Sequence, residues 1–164
     1  MTAFDLTGYV PGALGRLTEL HGIYYATFWG LDLEAQVAAD LAAFFTRFHP
    51  LRDAAWFAHA NDQIVGGVLI DGVESHNPDI GAKLRYFIVD PAYQGQGIGQ
   101  GLLSESITFC KDRGYTRVYL STLAGLDAAR HLYEKVGFRL YRETNSHLKS
   151  SQPLVDLEFE LFLK

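Results

Sequence analysis

Cysteine is almost missing from this chain: of 164 residues, only Cys110 is one. A lone thiol excludes an intrachain disulfide, and without a Cys/His cluster there is no zinc-type ligand pattern, so no metal is expected. Basic charge is also scarce. Fourteen Lys and Arg stand against 19 Asp and Glu, for a net charge of −5. A basic face is the usual footprint of a nucleic-acid binder, so nucleic acid is not expected as a partner. Acidity is mildly favourable to a cationic amine ligand. No apolar run is long enough to span a bilayer, so no membrane is expected either. The first ten residues lack a basic start and contain Asp5, unlike a secretory leader; the cytoplasm is the expected location. Repeats and low-complexity segments are absent. What remains is ordinary: 48% hydrophobic and 20% charged residues, in a length that suits one domain over 1–164.

Periodicity sorts the chain into elements. Residues 4–10 read as a weak first strand. After Pro11-Gly12, Val10, Leu14, Leu17, His21, Tyr24 and Phe28 recur at helical spacing until Gly30. Asp32 is the expected N-cap of a second helix carrying Leu33, Val37, Leu41, Phe44, Phe45 and Phe48 on one face, stopped by Pro50. Residues 55–60 and 64–70 read as strands joined at Asn61-Asp62. A polar loop over 71–81 leads to a strand at 84–89, ended by Pro91. A helix over 98–113 turns Ile98, Leu102, Leu103, Ile107 and Cys110 inward, with Gly114 as its stop. A strand at 117–122, a helix at 126–136 closed by Gly137, and a strand pair at 138–142 and 154–163 complete the pattern. The expected fold is α/β, a mixed sheet with helices on both faces.

The most informative stretch is Gln94-Gly95-Gln96-Gly97-Ile98-Gly99, lying between a strand and the start of a helix. The first N–H groups of a helix have no partner inside it, and the helix dipole adds positive charge there. Glycine lets the main chain approach a bulky phosphate and adopt the dihedrals a tight turn needs. A bound diphosphate follows. No Gly-Lys-Ser/Thr tripeptide is present, which excludes a P-loop. The third glycine of the dinucleotide fingerprint is missing in every frame, since Gln100 and Leu102 hold its places. A cradle without lysine or magnesium suits a pyrophosphate that is held and not cleaved, as in coenzyme A.

Residues 84–99, with Val89-Asp90-Pro91 ahead of Gln94-Gly95-Gln96-Gly97-Ile98-Gly99, resemble the central motif of the GNAT (Gcn5-related) N-acetyltransferases. That motif is Arg/Gln-x-x-Gly-x-Gly/Ala after a strand. Downstream, Leu132-Tyr133-Glu134-Lys135-Val136-Gly137-Phe138 resembles the family's second signature. The likeness covers residues 55 to about 142. The flanks look most like the acetyltransferase half of bacterial fusions with winged-helix regulators.

The resemblance implies an acetyl-CoA-dependent N-acetyltransferase acting on a small amine, an amino-acid-like metabolite or a protein amine, commonly as a homodimer. A non-catalytic acyl-CoA sensor would keep the same cradle. By the same resemblance, the main chain of Phe87, Ile88 and Val89 would pair with the pantetheine arm along a strand that splays from its neighbour. An N–H of Ile88 or Val89 would face the thioester carbonyl. Gln94, Gly95, Gln96, Gly97, Ile98, Gly99 and Gln100 would hold the pyrophosphate. Tyr133 would protonate the leaving thiolate, since a phenol titrating near 10 stays protonated where a thiol near 8.5 does not.

The glutamate that some members use as base has no counterpart, because Ser121 stands near its place. Glu19, His21 and His147 are the remaining base candidates. The acceptor pocket is expected between the first two helices, the 71–81 loop and residues 145–153. Tyr24, Tyr25, Phe28 and Trp29 form an aromatic cluster that would attract an amine, or else pack in the core. Arg85 would bind a carboxylate if it faces the cleft, and is a surface or ion-paired side chain if it does not.

Overall fold

A computed structural model describes residues 2–72 and 81–164. In chain order the elements are β1 (Asp5–Thr7), α1 (Ala13–Trp29), α2 (Glu34–Thr46), β2 (Ala54–Ala60), β3 (Gln63–Asp71), β4 (Ala82–Val89), a 3-10 turn (Pro91–Tyr93), α3 (Ile98–Asp112), β5 (Arg117–Leu123), α4 (Asp127–Val136), β6 (Arg139–Asn145) and β7 (Val155–Phe162). The seven strands form one sheet in the order β1-β2-β3-β4-β5-β7-β6. All pairs are antiparallel except β4 with β5, which makes the sheet mixed.

Helices cover both faces. On one, α3 and α4 bury Leu102, Leu103, Cys110 and Tyr133 against Leu84, Leu120 and Phe159 of the strands. On the other, Leu17 of α1 and Leu41 and Phe44 of α2 pack on Phe57, Leu69 and Ile88. Each such side chain, once buried, contributes roughly 1.5–3 kcal/mol. Burial raises the Cys110 thiol to about 12, so this cysteine is an inert core residue.

Several boundaries differ from the sequence pattern: β4 begins two residues early, at Ala82, and β6 runs on to Asn145, three residues past its expected end. β1 is confined to Asp5–Thr7, because only those residues pair with Phe57, Ala58 and His59 of β2. Asp32 does not cap α2. The residue before the helix is Leu33, whose side chain packs into the α1/α2 core and brings the chain into the helix one residue late. Leu126 stands just ahead of α4 and not inside it. Most of the 71–81 loop, residues 73–80, lies outside the described residues. Among the described residues, no helix is long and apolar enough to cross a membrane.

Candidate active site

β4 and β5 are paired only at their starts, Ala82 with Val118 and Lys83 with Tyr119. Beyond that point the two parallel strands part. The edge of β4 from Leu84 to Val89 then faces a cavity of about 890 Å³ instead of a neighbouring strand. On its other side, β4 carries a bulge. Gly67 pairs with Ile88 and Leu69 with Arg85, so Tyr86 and Phe87 together oppose Val68 alone. Tyr86 takes the strain, with a left-handed φ of 53°. Three contacts hold it there: its hydroxyl donates to Asp40 at 2.5 Å, the Arg85 guanidinium lies over its ring at 5.2 Å, and the His21 ring meets it edge-on at 5.3 Å. The split leaves the β4 edge beyond Lys83 without a strand partner on the cavity side.

The same cavity runs on to Gln94, Gly95, Ile98 and Gly99. Here the chain turns through two left-handed glycines, Gly95 at φ 76° and Gly97 at φ 87°. Added Cβ atoms would meet nothing at either position, so the turn is open outward. Gly97 caps α3 without a side chain. Gly101 N–H bonds to the Gly97 carbonyl at 3.0 Å, which leaves the N–H groups of Ile98, Gly99 and Gln100 without partners in the helix. Gln94 ties the turn to the strand, its side-chain amide donating to the Val89 carbonyl at 3.1 Å. Gln96 accepts from Thr2 N–H at 3.1 Å. Gln96, Gly97 and Gln100 belong to the turn without lining the cavity wall.

Tyr133 comes from α4 and lies against Phe87 of the bulge, Phe138 and Phe159. Its residue is 4% exposed, yet its hydroxyl has no hydrogen bond to any described residue and is not sealed from solvent. That oxygen therefore opens on the cavity, which Tyr133 lines. Burial, reinforced by the nearby Tyr25 phenol, raises Tyr133 well above the ordinary tyrosine range. The group is protonated throughout the physiological range.

The wall opposite α4 is built by α1 and α2. His21 is buried and donates from Nδ1 to the Leu17 carbonyl at 2.8 Å. A carbonyl only accepts, so Nδ1 carries the proton and Nε2 presents a lone pair. Burial lowers the imidazole to about 4, which keeps it neutral near pH 7. Tyr25 stacks on His21 at 6.3 Å and is raised to about 12 by burial and by Tyr24. Both line the cavity, with Tyr24, Arg85 and the 146–148 segment that holds His147.

Other expected site residues lie apart. Glu19 is exposed and paired with Arg16 at 3.0 Å. Trp29 is not on the wall; it stands behind it, its ring 2.9 Å from where a Gly125 Cβ would sit. Phe28 is 62% exposed. Ser121 does line the cavity, across from Glu158 of β7, and Glu158 is held by Arg142. Three charged wall residues were not singled out from the sequence, Lys83, Asp127 and Asp156. Lys83 was legible in principle: with Arg85 it forms the polar half of an alternation whose apolar half is Ala82 and Leu84.

A mixed sheet that opens between two parallel strands onto a glycine-turned helix start is the architecture of the GNAT fold. The profile of the acetyltransferase (GNAT) family matches residues 17–138. The chain belongs to this family. It is 32% identical over 126 residues to an N-acetylaspartate synthetase of Danio rerio, covering 75% of this chain and 43% of that protein. It is 29% identical over 121 residues to N-alpha-acetyltransferase 30 of Schizosaccharomyces pombe, covering 68% of this chain and 81% of that one. The chain thus spans less than half of the synthetase it matches. Among solved structures, a GNAT acetyltransferase of Staphylococcus aureus Mu50 superposes with a TM-score of 0.81 at 22% identity, over 99% of this chain and 100% of that one. YncA of Salmonella typhimurium, solved with its cofactor acetyl-CoA, gives 0.80 at 18%, over 99% and 95%. At such identities the likeness concerns the fold.

Proposed function

We propose that residues 1–164 form one acetyltransferase domain that moves an acetyl group from acetyl-CoA to a primary amine by direct attack. The observation that carries this reading is the split between β4 and β5, ending at the uncapped, glycine-turned start of α3. The residues present fit the cofactor. An unpaired strand edge suits the amide groups of a pantetheine arm. Main-chain N–H groups at 98–100, beside open glycines, suit a pyrophosphate. Phe87, Ile88 and Val89 would hold the arm, and residues 94–100 the phosphates.

Bound there, acetyl-CoA supplies an activated acetyl carbonyl and a thiol leaving group. Tyr133, which stays protonated near neutral pH, would donate its phenolic proton to the thiolate released as the carbon–sulfur bond breaks. An N–H of Ile88 or Val89 would hydrogen-bond the carbonyl oxygen as charge builds on it. His21 accepts a hydrogen bond at Nε2 from the incoming amine. With its pKa pushed down to about 4, it passes a proton on to water more readily than it keeps one. Tyr25 and His147 flank the amine, and Trp29 supports Gly125 behind the wall.

The relatives' names, an N-acetylaspartate synthetase and an N-alpha-acetyltransferase, describe different transfers, so this reading stops at a primary amine, small or peptidic. A homodimer belongs to it on the family resemblance alone. The likeness of the flanks to winged-helix fusion partners rests on sequence alone.

Thiol release from acetyl-CoA, followed with a panel of amino acids, polyamines, aminoglycosides and peptides, tests the proposal. Steady turnover with at least one amine is expected. Saturable acetyl-CoA binding with no turnover across the panel would make the protein an acyl-CoA-binding module instead.

A further inference from the structure

Lys83 and Arg85 sit on the α1/α2 face of β4, opposite the buried Ala82 and Leu84, and both line the cavity. Arg85 is 22% exposed and uses one nitrogen, Nη1, to reach Asp71 Oδ2 at 2.7 Å. Arg47 already grips both oxygens of that buried carboxylate, Nη1 to Oδ1 at 3.1 Å and Nη2 to Oδ2 at 2.7 Å. Among the described residues, these two guanidiniums and one carboxylate leave a surplus positive charge. Lys83 adds a second: it forms no hydrogen bond or ion pair with any described residue. Glu158 feels the Lys83 charge but is bonded to Arg142.

A half-buried cation surplus is costly without a counter-charge, and it stands out in a chain of net charge −5. Among the described residues, the cavity's own carboxylates do not supply one. Asp127 opens α4 on the cofactor side. Asp156 of β7 is opposite Leu123, four residues along β5 from the Tyr119 partner of Lys83, or about 13 Å of strand and one strand further out. Asp156 itself has no hydrogen bond or ion pair with a described residue, and it faces the same space.

We propose that the acceptor is an amine bearing a carboxylate, read by Lys83 and Arg85; this rests on the transferase reading above. Arg85 lies two residues from Phe87, roughly 7 Å of strand, so an anion held there reaches the split between β4 and β5 only if its amine is close by. The side chain of Arg85 and a small amino acid together bridge that interval. The unpaired Asp156 on the far wall attracts the ammonium as it enters. Arg85 offers the planar fork that matches a carboxylate, and Lys83 a point charge beside it.

The test compares matched acceptors on the full chain: glycine, alanine, aspartate and glutamate against their carboxamides, with acetyl-CoA saturating. The acids are expected to exceed the amides at least tenfold in kcat/KM, with the difference in KM. Lys83→Met and Arg85→Gln should each shrink that ratio by several-fold while the KM for acetyl-CoA stays unchanged. Arg85→Gln removes a partner of buried Asp71 and can cost folding; Lys83→Met leaves no buried carboxylate unpaired and carries the test by itself. Amides used as well as acids, or a ratio that Lys83→Met does not move, overturns this inference alone. Silence with every amine overturns the transferase reading and this inference with it.

Discussion

Tyr133 shows what a single side chain contributes and what it withholds. Its spacing on α4 marks an inward residue, and it is inward, wedged among Phe87, Phe138 and Phe159. The open hydroxyl distinguishes it from a plain core aromatic, and no helical period could reveal that. Tyr133→Phe is expected to lower kcat on the order of a hundredfold, within the usual range for one general acid, and to leave acetyl-CoA affinity unchanged. Unchanged steady-state rates from pH 6 to 9 would remove Tyr133 from the chemistry.

His21 carries a second consequence at the same scale. Buried and lowered to about 4, it stays neutral in the fold, whereas in the unfolded chain it titrates near 6.5. Between those values the unfolded state binds the extra proton, so acidification costs stability on the order of 3 kcal/mol across that window. Urea unfolding at pH 7 and pH 4.5 should show this loss in the wild type, and much less of it in His21→Gln. Equal losses in both proteins would place the titrating group elsewhere.

At the scale of elements, the sequence was most readable where periodicity and punctuation agree. β2, β3, α3 and β5 lie within a residue or two of their expected limits, because alternation, helical spacing and a closing glycine all point the same way. Two things were hidden. The bulge at Tyr86 and Phe87 has no composition of its own; a tyrosine in left-handed backbone is held there by Asp40, Arg85 and His21, contacts made across the fold. The splay of β4 from β5 was expected only from the family resemblance, since nothing in either strand's residues says that pairing stops after Lys83. The glycine turn, by contrast, is local and was read directly. Its open side predicts that Gly97→Glu strains a φ of 87° and puts a carboxylate where phosphate charge belongs. Acetyl-CoA affinity should fall by at least a hundredfold, with a melting temperature within a few degrees of wild type. A folded Gly97→Glu protein with wild-type affinity would remove the turn from the site.

For the whole molecule, the layered arrangement explains why one cavity can serve two ligands. The sheet divides the interior into the α3/α4 core and the α1/α2 core, and the cavity exists where β4 and β5 fail to close that partition. The main-chain amides at the start of α3 and Tyr133 come from the first side, and His21, Tyr25, Lys83 and Arg85 from the second. The fold class and the glycine turn were legible because they depend on short-range patterns. The cavity wall opposite α4 was only partly so, since it joins α1, α2, β4 and the 146–148 segment, residues far apart in sequence whose meeting is decided by strand order.

Calorimetric titration of the folded wild-type chain with acetyl-CoA and with coenzyme A is the direct test of the central claim, that the parted strands and the start of α3 hold this cofactor through main-chain groups. One saturable site of micromolar affinity, kept by both compounds and lost by dephosphorylated pantetheine, is the expected result. A well-folded protein that takes up neither compound would contradict the account.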